Sequence, residues 1–383
     1  MINKDRLADT FKFLVEIDSV SGEEKKISQE IQKIWDSLGA ETFTDGAGEK
    51  TGGNAGNLFA VFSGNRAVEP MMLNAHMDTV EPGRGIRPRF ENGVFTSSGD
   101  TILGADDKSA IAVLIEVMRV LKEDGLDHGP IEIVLTVAEE VGLKGAKNLD
   151  FSRIRSRFGY ALDSSDTEGI VVRAPAANRI EFRIHGKDAH AGAAPEKGIN
   201  AIMIAAQALA GLEIGRIDRE TTCNIGVIEG GKAINIVPSL VVVKGEARSH
   251  DRAKLDRTTE AMVSAFETAV QNYRDRHRED CLENDEPRLE VIIENDFLST
   301  HIPEDHRVVR LAAEAAANLG RAMRAKPTGG GADANVFFQK GIITGVLGTG
   351  MRDMHTVREY VELADMVRAA ELVLEIIRLH AQG

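Results

Sequence analysis

The stretch that decides the fold is Met71-Met72-Leu73-Asn74-Ala75-His76-Met77-Asp78-Thr79-Val80. Its apolar start predicts a buried strand, which ends in an imidazole and a carboxylate. This ending makes chemical sense if His76 binds a metal through one ring nitrogen while Asp78 holds the other ring N–H and fixes the tautomer. His-x-Asp alone is more often a polar strand end at the surface. The interpretation therefore depends on how the other strands of the chain end.

Bulk composition limits the class of protein. The chain has 383 residues, of which 43% are apolar and 28% charged, as in a globular protein with two domains. No apolar run approaches the ~20 residues that span a bilayer, and no signal segment stands at the N-terminus, so we expect a cytoplasmic protein. The formal charge of −14 disfavours nucleic-acid and membrane partners. The two cysteines, Cys223 and Cys281, indicate neither a disulfide framework nor a thiolate site, so histidines and carboxylates must hold any metal.

Further acidic motifs follow apolar segments along the chain. One acidic pair begins a helix with a clear apolar face, where the helix dipole tolerates negative charge. The others directly follow the predicted strands 131–138 and 160–162. The residues so placed are Asp106, Asp107, Glu139, Glu140 and Asp163. Because strands alternate with helices, we expect a largely parallel α/β sheet whose strand C-termini line one ligand crevice.

The middle of the chain has a different pattern. Residues 175–294 read βαββαβ, which predicts a ferredoxin-like α+β domain inserted into the first one. Residues 1–174 and 295–383 would then form the domain that carries the acidic motifs. Near the N-terminus, residues 5–39 predict two helices with Ser21 capping the second, and the Gly-rich stretch 46–56 predicts a mobile turn. The Gly-rich loop at 328–335 lacks the Lys-Ser/Thr of a phosphate-binding P-loop.

The strand ends together supply six acidic groups and two imidazoles to one crevice. They are His76, Asp78, Asp106, Asp107, Glu139, Glu140, Asp163 and His355. Without cations such a cluster would repel itself, whereas two divalent metals would neutralise it. Two histidines and three carboxylates, one of them bridging, suit a pair of Zn²⁺ ions, and one carboxylate is left over as a general base.

These motifs resemble the M20 family of metallopeptidases, in particular its tripeptide aminopeptidases of the peptidase T type, over essentially the whole chain. The resemblance rests on His76-x-Asp78, Gly104-Ala105-Asp106-Asp107-Lys108, Glu139-Glu140, Asp163 and His355. It implies a zinc-peptidase-type catalytic domain with a central mixed sheet and an inserted lid domain, and it allows a homodimer through the lid. The implied activity is hydrolysis of the N-terminal amide bond of short peptides. The implied cofactors are two Zn²⁺ ions per subunit, for which Mn²⁺ or Co²⁺ can substitute.

The resemblance also implies a role for each matching residue. Two sets of ligands share Asp106: His76, Asp106 and Asp163 for one ion, and Asp106, Glu140 and His355 for the other. The implied catalytic residues are Glu139, as the base, and Asp78, which orients His76. The peptide between Asp106 and Asp107 should be cis. The implied substrate-binding residues are His190, Asn235, Arg248 and Gly330.

The substrate stays open in the sequence. The chain has Asp163-Ser164-Ser165-Asp166 where the related tripeptidases have a glycine-rich turn, which keeps the ligand but leaves the peptide preference undecided. The same chemistry on an N-acyl or carbamoyl amino acid is one alternative. A non-catalytic metal-binding or peptide-binding protein is another, although it would have no need of a non-ligand base such as Glu139.

Overall fold

The computed structural model describes residues 1–276 and 286–383, so Cys281 lies outside the described residues. The chain divides into two compact units. The first unit comprises Met1–Arg173, His301–Thr328 and Ala332–Gly383, and the second comprises Ala174–Thr300 and Gly329–Gly331. The roles predicted for the two parts of the chain, catalysis and lid, stay predictions.

Helices occur in both units. They are α1 Lys4–Val15, α2 Lys25–Leu38, α3 Ala47–Thr51, α4 Ala105–Glu123, α5 Lys144–Lys147, α6 Ala201–Ala210, α7 Arg252–Arg276, α8 Arg307–Asn318, α9 Asp333–Gln339 and α10 Leu363–His380. Among the described residues, no helix is long and apolar enough to cross a membrane.

Strands form three sheets in the part of the chain that the structure describes. They are β1 Glu41–Thr44, β2 Leu58–Phe62, β3 Met71–His76, β4 Pro88–Glu91, β5 Val94–Ser97, β6 Ile131–Thr136, β7 Phe158–Ala161, β8 Gly169–Ala174, β9 Ala176–His185, β10 Gly215–Arg216, β11 Thr221–Gly230, β12 Leu240–Ser249, β13 Arg288–Phe297, β14 Thr300–His301, β15 Arg324–Pro327, β16 Ile343–Leu347 and β17 Tyr360–Glu362.

The large sheet is mixed, as expected. Its strand order is β1-β2-β6-β3-β7-β16-β8-β14, with β15 paired to β8. The four central strands, β6, β3, β7 and β16, are parallel to one another. The antiparallel pairs are β1 with β2, β2 with β6, and β8 with β16. The segments that follow the four parallel strands therefore leave the sheet at the same edge.

The core of the first unit surrounds α4. This helix is buried along almost its whole length, because its sequence is apolar on every side from Ala110 to Met118 apart from Glu116. It packs against α1, α10 and strand β3. Glu116 is buried because its carboxylate binds the Arg6 guanidinium, with Nε at 2.7 Å. The start of α4, which carries Asp106, is thus anchored by a helix that cannot move without disturbing the core.

The second unit has the predicted βαββαβ order, with β10 added at one edge. Its antiparallel sheet runs β10-β11-β12-β9-β13. Alternate residues of β9, namely Ile180, Phe182 and Ile184, are buried with residues of α6 and α7. The ring of Phe182 stacks on that of Phe266 at 3.9 Å between centroids. This half of β9 therefore buries every second side chain, as expected for a strand with one face against the core.

Two local predictions were wrong. Ser21 does not cap α2: its hydroxyl donates to Asp78 Oδ2 at 2.6 Å, and Glu24 occupies the N-cap position without a side-chain cap. The charged acceptor Asp78 outcompetes the helix end for the hydroxyl. The stretch 46–56 contains helix α3 rather than only a turn, because Asp45 Oδ1 accepts the N–H of Ala47 at 3.0 Å and stabilises the start of the helix.

Candidate metal centre

The predicted ligands of the first unit follow its four parallel strands or begin α4. His76 ends β3, Glu140 follows β6, Asp163 follows β7, and His355 lies in the segment after β16. Asp106 stands behind Gly104, whose φ of +73° turns the chain into α4. The Asp106–Asp107 peptide is cis, as the resemblance implied.

Asp106 lies between the two imidazoles. His76 Nε2 is 3.0 Å from Asp106 Oδ1, and His355 Nε2 is 3.3 Å from Asp106 Oδ2. His355 Nε2 is also 3.0 Å from Glu140 Oε2. Ligand atoms of His76, Asp106 and Glu140 lie within 4.8 Å of one another. One carboxylate facing a histidine on each side is the arrangement that a bridging ligand requires.

The neighbouring acids are held in an unfavourable environment. Burial raises the pKa of Asp163 to about 8, and the charge of Asp106 adds to the effect. Burial also raises the pKa of Glu139 and Asp107 well above the usual carboxyl value, and that of Glu140 to a lesser degree. Asp107 Oδ1 is buried without a hydrogen-bond partner among the described residues. Buried acids around two imidazoles form a donor set that fits divalent cations.

The imidazoles respond to the same charges. Hydrogen bonds to Asp106 and Glu140 raise the pKa of His355 to about 10. Burial lowers the pKa of His76, but the carboxylates of Asp106 and Asp78 outweigh it and the net shift is upward. A cation between these groups would compensate the charge of the carboxylates, as the protons on the imidazoles do here.

Asp78 contacts the backbone of two glutamates as well as the imidazole of His76. The ring Nδ1 of His76 is 3.0 Å from the Asp78 backbone carbonyl and 3.5 Å from its carboxylate Oδ1, so the carbonyl is the nearer acceptor. The carboxylate accepts the N–H of Glu139 at 2.9 Å and the N–H of Glu140 at 3.2 Å. The sequence predicted the link from Asp78 to His76 but not its link to the two glutamates.

Glu359 is a buried acid that the sequence interpretation missed. Its Oε2 accepts the N–H groups of Leu103 and Gly104 at 2.8 and 2.7 Å, and its Oε1 accepts the N–H of Asp106 at 2.9 Å. Burial raises the pKa of Glu359 to about 7. The same segment carries His355, so one carboxylate joins the segments of two predicted ligands. An acid four residues after His355 was the only signal in the sequence.

Asp333, at the start of α9, is another buried acid that the sequence interpretation missed. Its Oδ2 accepts the hydroxyl of Thr136, the last residue of β6, and Thr136 lies opposite His76 in the parallel register. Burial raises the pKa of Asp333 to about 6. Its charge contributes to the raised pKa values of Glu139 and Asp163. Asp333 thus adds negative charge near the candidate ligands, which favours the binding of cations by them.

Comparison with known proteins identifies the family. A family model described as peptidase family M20/M25/M40 matches residues 72–379. The chain belongs to this peptidase family. It is therefore a metal-dependent peptidase. The side chains of His76, Asp106 and Glu140 form a group that could hold a metal ion.

Relatives of this M20 peptidase extend over its full length. The protein YqjE of Bacillus subtilis (strain 168) is 41% identical over 378 residues, which cover 98% of this chain and 99% of the relative. The crystal structure of a tripeptidase from Staphylococcus aureus subsp. aureus mu50 is similar with a TM-score of 0.90 at 37% identity. That of the aminopeptidase PepT from Bacillus cereus ATCC 10987 is similar with a TM-score of 0.84 at 40% identity. Both structures are covered completely, as is this chain. The resemblance to peptidase T is confirmed.

The second unit of this M20 peptidase carries the four residues predicted to bind substrate. His190 and Asn235 lie on adjacent segments, because the N–H of Ala191 donates to the Asn235 carbonyl at 2.9 Å. His190 is exposed, and its Nδ1 accepts the N–H groups of Gly192 and Ala193 at 3.2 and 3.1 Å. Since Nδ1 accepts, Nε2 carries the proton of the neutral ring and can donate outward.

Arg248 and Gly330 are also close in space within the second unit. The Arg248 guanidinium donates to Glu246 Oε2 at 2.9 Å and to the Gly329 carbonyl at 3.5 Å. It lies 5.9 Å from the ring centroid of Phe297. The Gly-rich loop next to Arg248 is tightly packed, since a Cβ on Gly331 would overlap the Phe297 ring. The roles of all four residues toward a substrate stay predictions.

Proposed function

We propose that this M20 peptidase removes the N-terminal residue of short peptides by hydrolysis, using two divalent metal ions. The observation that carries the proposal is Asp106, whose two oxygens face His76 Nε2 and His355 Nε2 within 3.3 Å. The similarity to a tripeptidase and to the aminopeptidase PepT supports the choice of substrate class.

We assign the ligands as the family resemblance implies, and the group of His76, Asp106 and Glu140 supports this assignment. His76, Asp106 and Asp163 would hold one ion, and Asp106, Glu140 and His355 the other. Two imidazoles with three carboxylates are ligands that suit Zn²⁺, and Mn²⁺ or Co²⁺ can substitute. When bound, the two ions supply Lewis acidity and lower the pKa of water at the site.

Glu139 is the residue of this chain that moves the proton. Its carboxylate would accept a proton from the attacking water and return it to the nitrogen of the leaving amine. Its backbone N–H is fixed by Asp78 Oδ1 at 2.9 Å, which leaves the side chain free for this work. Burial raises the pKa of Glu139, which favours a group that must both take and give a proton near neutral pH.

Recognition of the substrate is assigned to the second unit. Arg248 offers a planar guanidinium that suits a peptide carboxylate or carbonyl, and His190 offers an outward N–H. Asn235 and Gly330 would contribute further hydrogen bonds. These four residues are not needed for metal binding, so their substitution should leave metal content unchanged.

A homodimer through the second unit is the assembly that we propose. β10 covers only Thr222 and Cys223 of β11, and in the part of the chain that the structure describes no strand pairs with residues 224–230 on that side. Ile228 of this edge is 53% exposed, and Met203 of α6 is 55% exposed. An open edge strand with exposed apolar residues favours pairing with the same edge of a second copy.

One experiment tests the proposed function. Purified protein is assayed on a free tripeptide and on its N-acetylated form, before and after chelation and with Zn²⁺, Mn²⁺ or Co²⁺ restored. We expect hydrolysis of the free peptide, much slower hydrolysis of the acetylated one, and complete loss on chelation. Equal rates on both peptides would instead favour the N-acyl amino acid hydrolase. Two bound metals without hydrolysis of either peptide would favour a binding protein.

A further inference from the structure

The loop between α1 and α2 reaches the segment that carries the proposed base. Glu24, in this loop, has no exposed surface, and its Oε1 accepts the N–H of Ala138 at 3.1 Å. The same oxygen accepts the N–H of Gly22 at 2.8 Å. We propose that Glu24 is a positioning residue for Glu139, an inference that rests on the proposed role of Glu139 as the base.

The segment 137–140 depends on side chains for its hydrogen bonds. Strand β6 ends at Thr136, and the four N–H groups that follow all donate to side-chain oxygens. The donors and acceptors are Val137 to Asn57 Oδ1 at 3.1 Å, Ala138 to Glu24 Oε1 at 3.1 Å, Glu139 to Asp78 Oδ1 at 2.9 Å and Glu140 to Asp78 Oδ2 at 3.2 Å. Because buried N–H groups must be satisfied, these side chains determine the path of the backbone.

Ala138 is the residue of this segment whose backbone conformation most needs a side-chain acceptor to hold it. Its φ is +51°, in a region that an L-residue other than glycine rarely adopts. Such a conformation persists only where the surroundings hold it. The Ala138 N–H donates to Glu24 Oε1, and Ala138 immediately precedes Glu139 in the chain. Losing it would allow this turn to relax and the Glu139 carboxylate to move.

The loop that holds Glu24 is itself docked beside Asp78. Ser21 donates its hydroxyl to Asp78 Oδ2 at 2.6 Å, and its N–H donates to the Thr79 carbonyl at 3.2 Å. The Thr79 N–H returns a bond to the Ser19 carbonyl at 3.0 Å. Glu24 therefore acts from a fixed support, and it links the loop at 19–24 to the base.

Three variants separate the hydrogen bond of Glu24 from its charge. Glu24→Gln removes the charge but keeps an oxygen that can accept both N–H groups, since both bonds go to Oε1. Glu24→Asp keeps the charge but is one methylene shorter, so it cannot hold both. Glu24→Ala removes both features. Glu23→Ala is the matched control, because Glu23 is exposed and its carboxylate binds Arg84 instead.

We expect a loss confined to the chemical step. A misplacement of about 1 Å at a reacting group can cost on the order of 10²-fold in rate. Glu24→Asp and Glu24→Ala should therefore lose roughly 10- to 100-fold in kcat. KM and metal content should be unchanged, because the two N–H groups that Glu24 Oε1 accepts, those of Gly22 and Ala138, belong to no predicted metal ligand or substrate-binding residue. Glu24→Gln and Glu23→Ala should keep the kcat of the parent.

The test is kinetics, metal analysis and hydrogen exchange on full-length protein. Faster amide exchange over residues 137–140 in the Asp variant than in the Gln variant would show the lost bond independently of activity. Equal kcat and equal exchange in the Asp and Gln variants would overturn the inference, and this pair decides the matter if Glu24→Ala does not fold. If Glu139→Gln keeps full activity, the proposed role of Glu139 as the base fails, whereas the exchange comparison still tests whether Glu24 holds the Ala138 N–H.

Discussion

Replacing Glu139 by glutamine tests the proton transfer on which the proposed mechanism depends. The substitution preserves the shape of the side chain, and the bond from the Glu139 N–H to Asp78 Oδ1 belongs to the backbone, so the segment should keep its position. A neutral amide cannot accept the proton of the attacking water. We expect kcat to fall by about 10²–10⁴-fold, the usual contribution of a general base. This corresponds to about 2.7–5.4 kcal/mol in the activation barrier.

The neighbouring variant Glu140→Gln provides the contrast. Glu140 Oε2 lies 3.0 Å from His355 Nε2, in the group that we assign to one metal. An amide binds a divalent cation more weakly than a carboxylate does, so this variant should lose metal as well as activity. The assay is elemental analysis after desalting, followed by steady-state hydrolysis of a free tripeptide with and without added Zn²⁺.

The two variants must differ for the division of roles to stand. Glu139→Gln should retain two metals with low kcat, and added Zn²⁺ should not restore it. Glu140→Gln should recover part of its activity when Zn²⁺ is added. If both lose metal to the same extent, the assignment of Glu139 as a non-ligand base is wrong. If Glu139→Gln turns over at the parent rate, another group takes the proton.

Two further predictions concern metal affinity and assembly. Glu359→Ala removes the acceptor for three N–H groups, including that of Asp106 at 2.9 Å, and should weaken metal binding in a calorimetric titration. The control variant Glu362→Ala should keep the metal affinity of the parent. Equal affinities in the two variants would contradict the role of Glu359 in holding Asp106. Ile228→Lys places a charge on the open edge of β11 and should convert the proposed dimer to a monomer in light scattering. The control is Val357→Lys, at a residue of similar exposure in the first unit, and a monomeric parent would refute the dimer.

The positions of the candidate ligands in the fold could be predicted from the sequence because each lies at the end or start of a recognisable element. His76 ends a plainly apolar strand, Glu140 and Asp163 follow two others, and Asp106 lies at the start of a helix with an apolar face. In a parallel α/β sheet such positions converge at one edge whatever the details of the loops. The order of elements in the second unit was predictable for a similar reason, since β9 alternates strictly and has a helix-length segment after it.

The supporting acids could not be predicted because their partners are backbone groups. Glu24 binds an N–H that is 114 residues away in the chain, and Glu359 binds the N–H of Asp106 at a separation of 253 residues. A peptide N–H has no signature in the sequence, so an acid that serves one looks like any surface acid. The failure of the cap predicted for Ser21 has the same origin, because its actual acceptor, Asp78, comes from a distant segment.

The buried acids near the candidate metal centre therefore fall into two groups, according to the chemical groups that their carboxylates contact. The carboxylates of Asp106 and Glu140 face the imidazoles, and the buried Asp163 is affected by the charges of both acids, so a bound cation would offset their combined charge. Asp78 and Glu359 turn theirs toward peptide N–H groups, which compensate the charge without a metal. The N–H groups of Leu103, Gly104, Asp106, Glu139 and Glu140 have these carboxylates as acceptors in place of the backbone carbonyls of a regular strand or helix. Metal removal should accordingly release the first group of acids while the second keeps the segments in place.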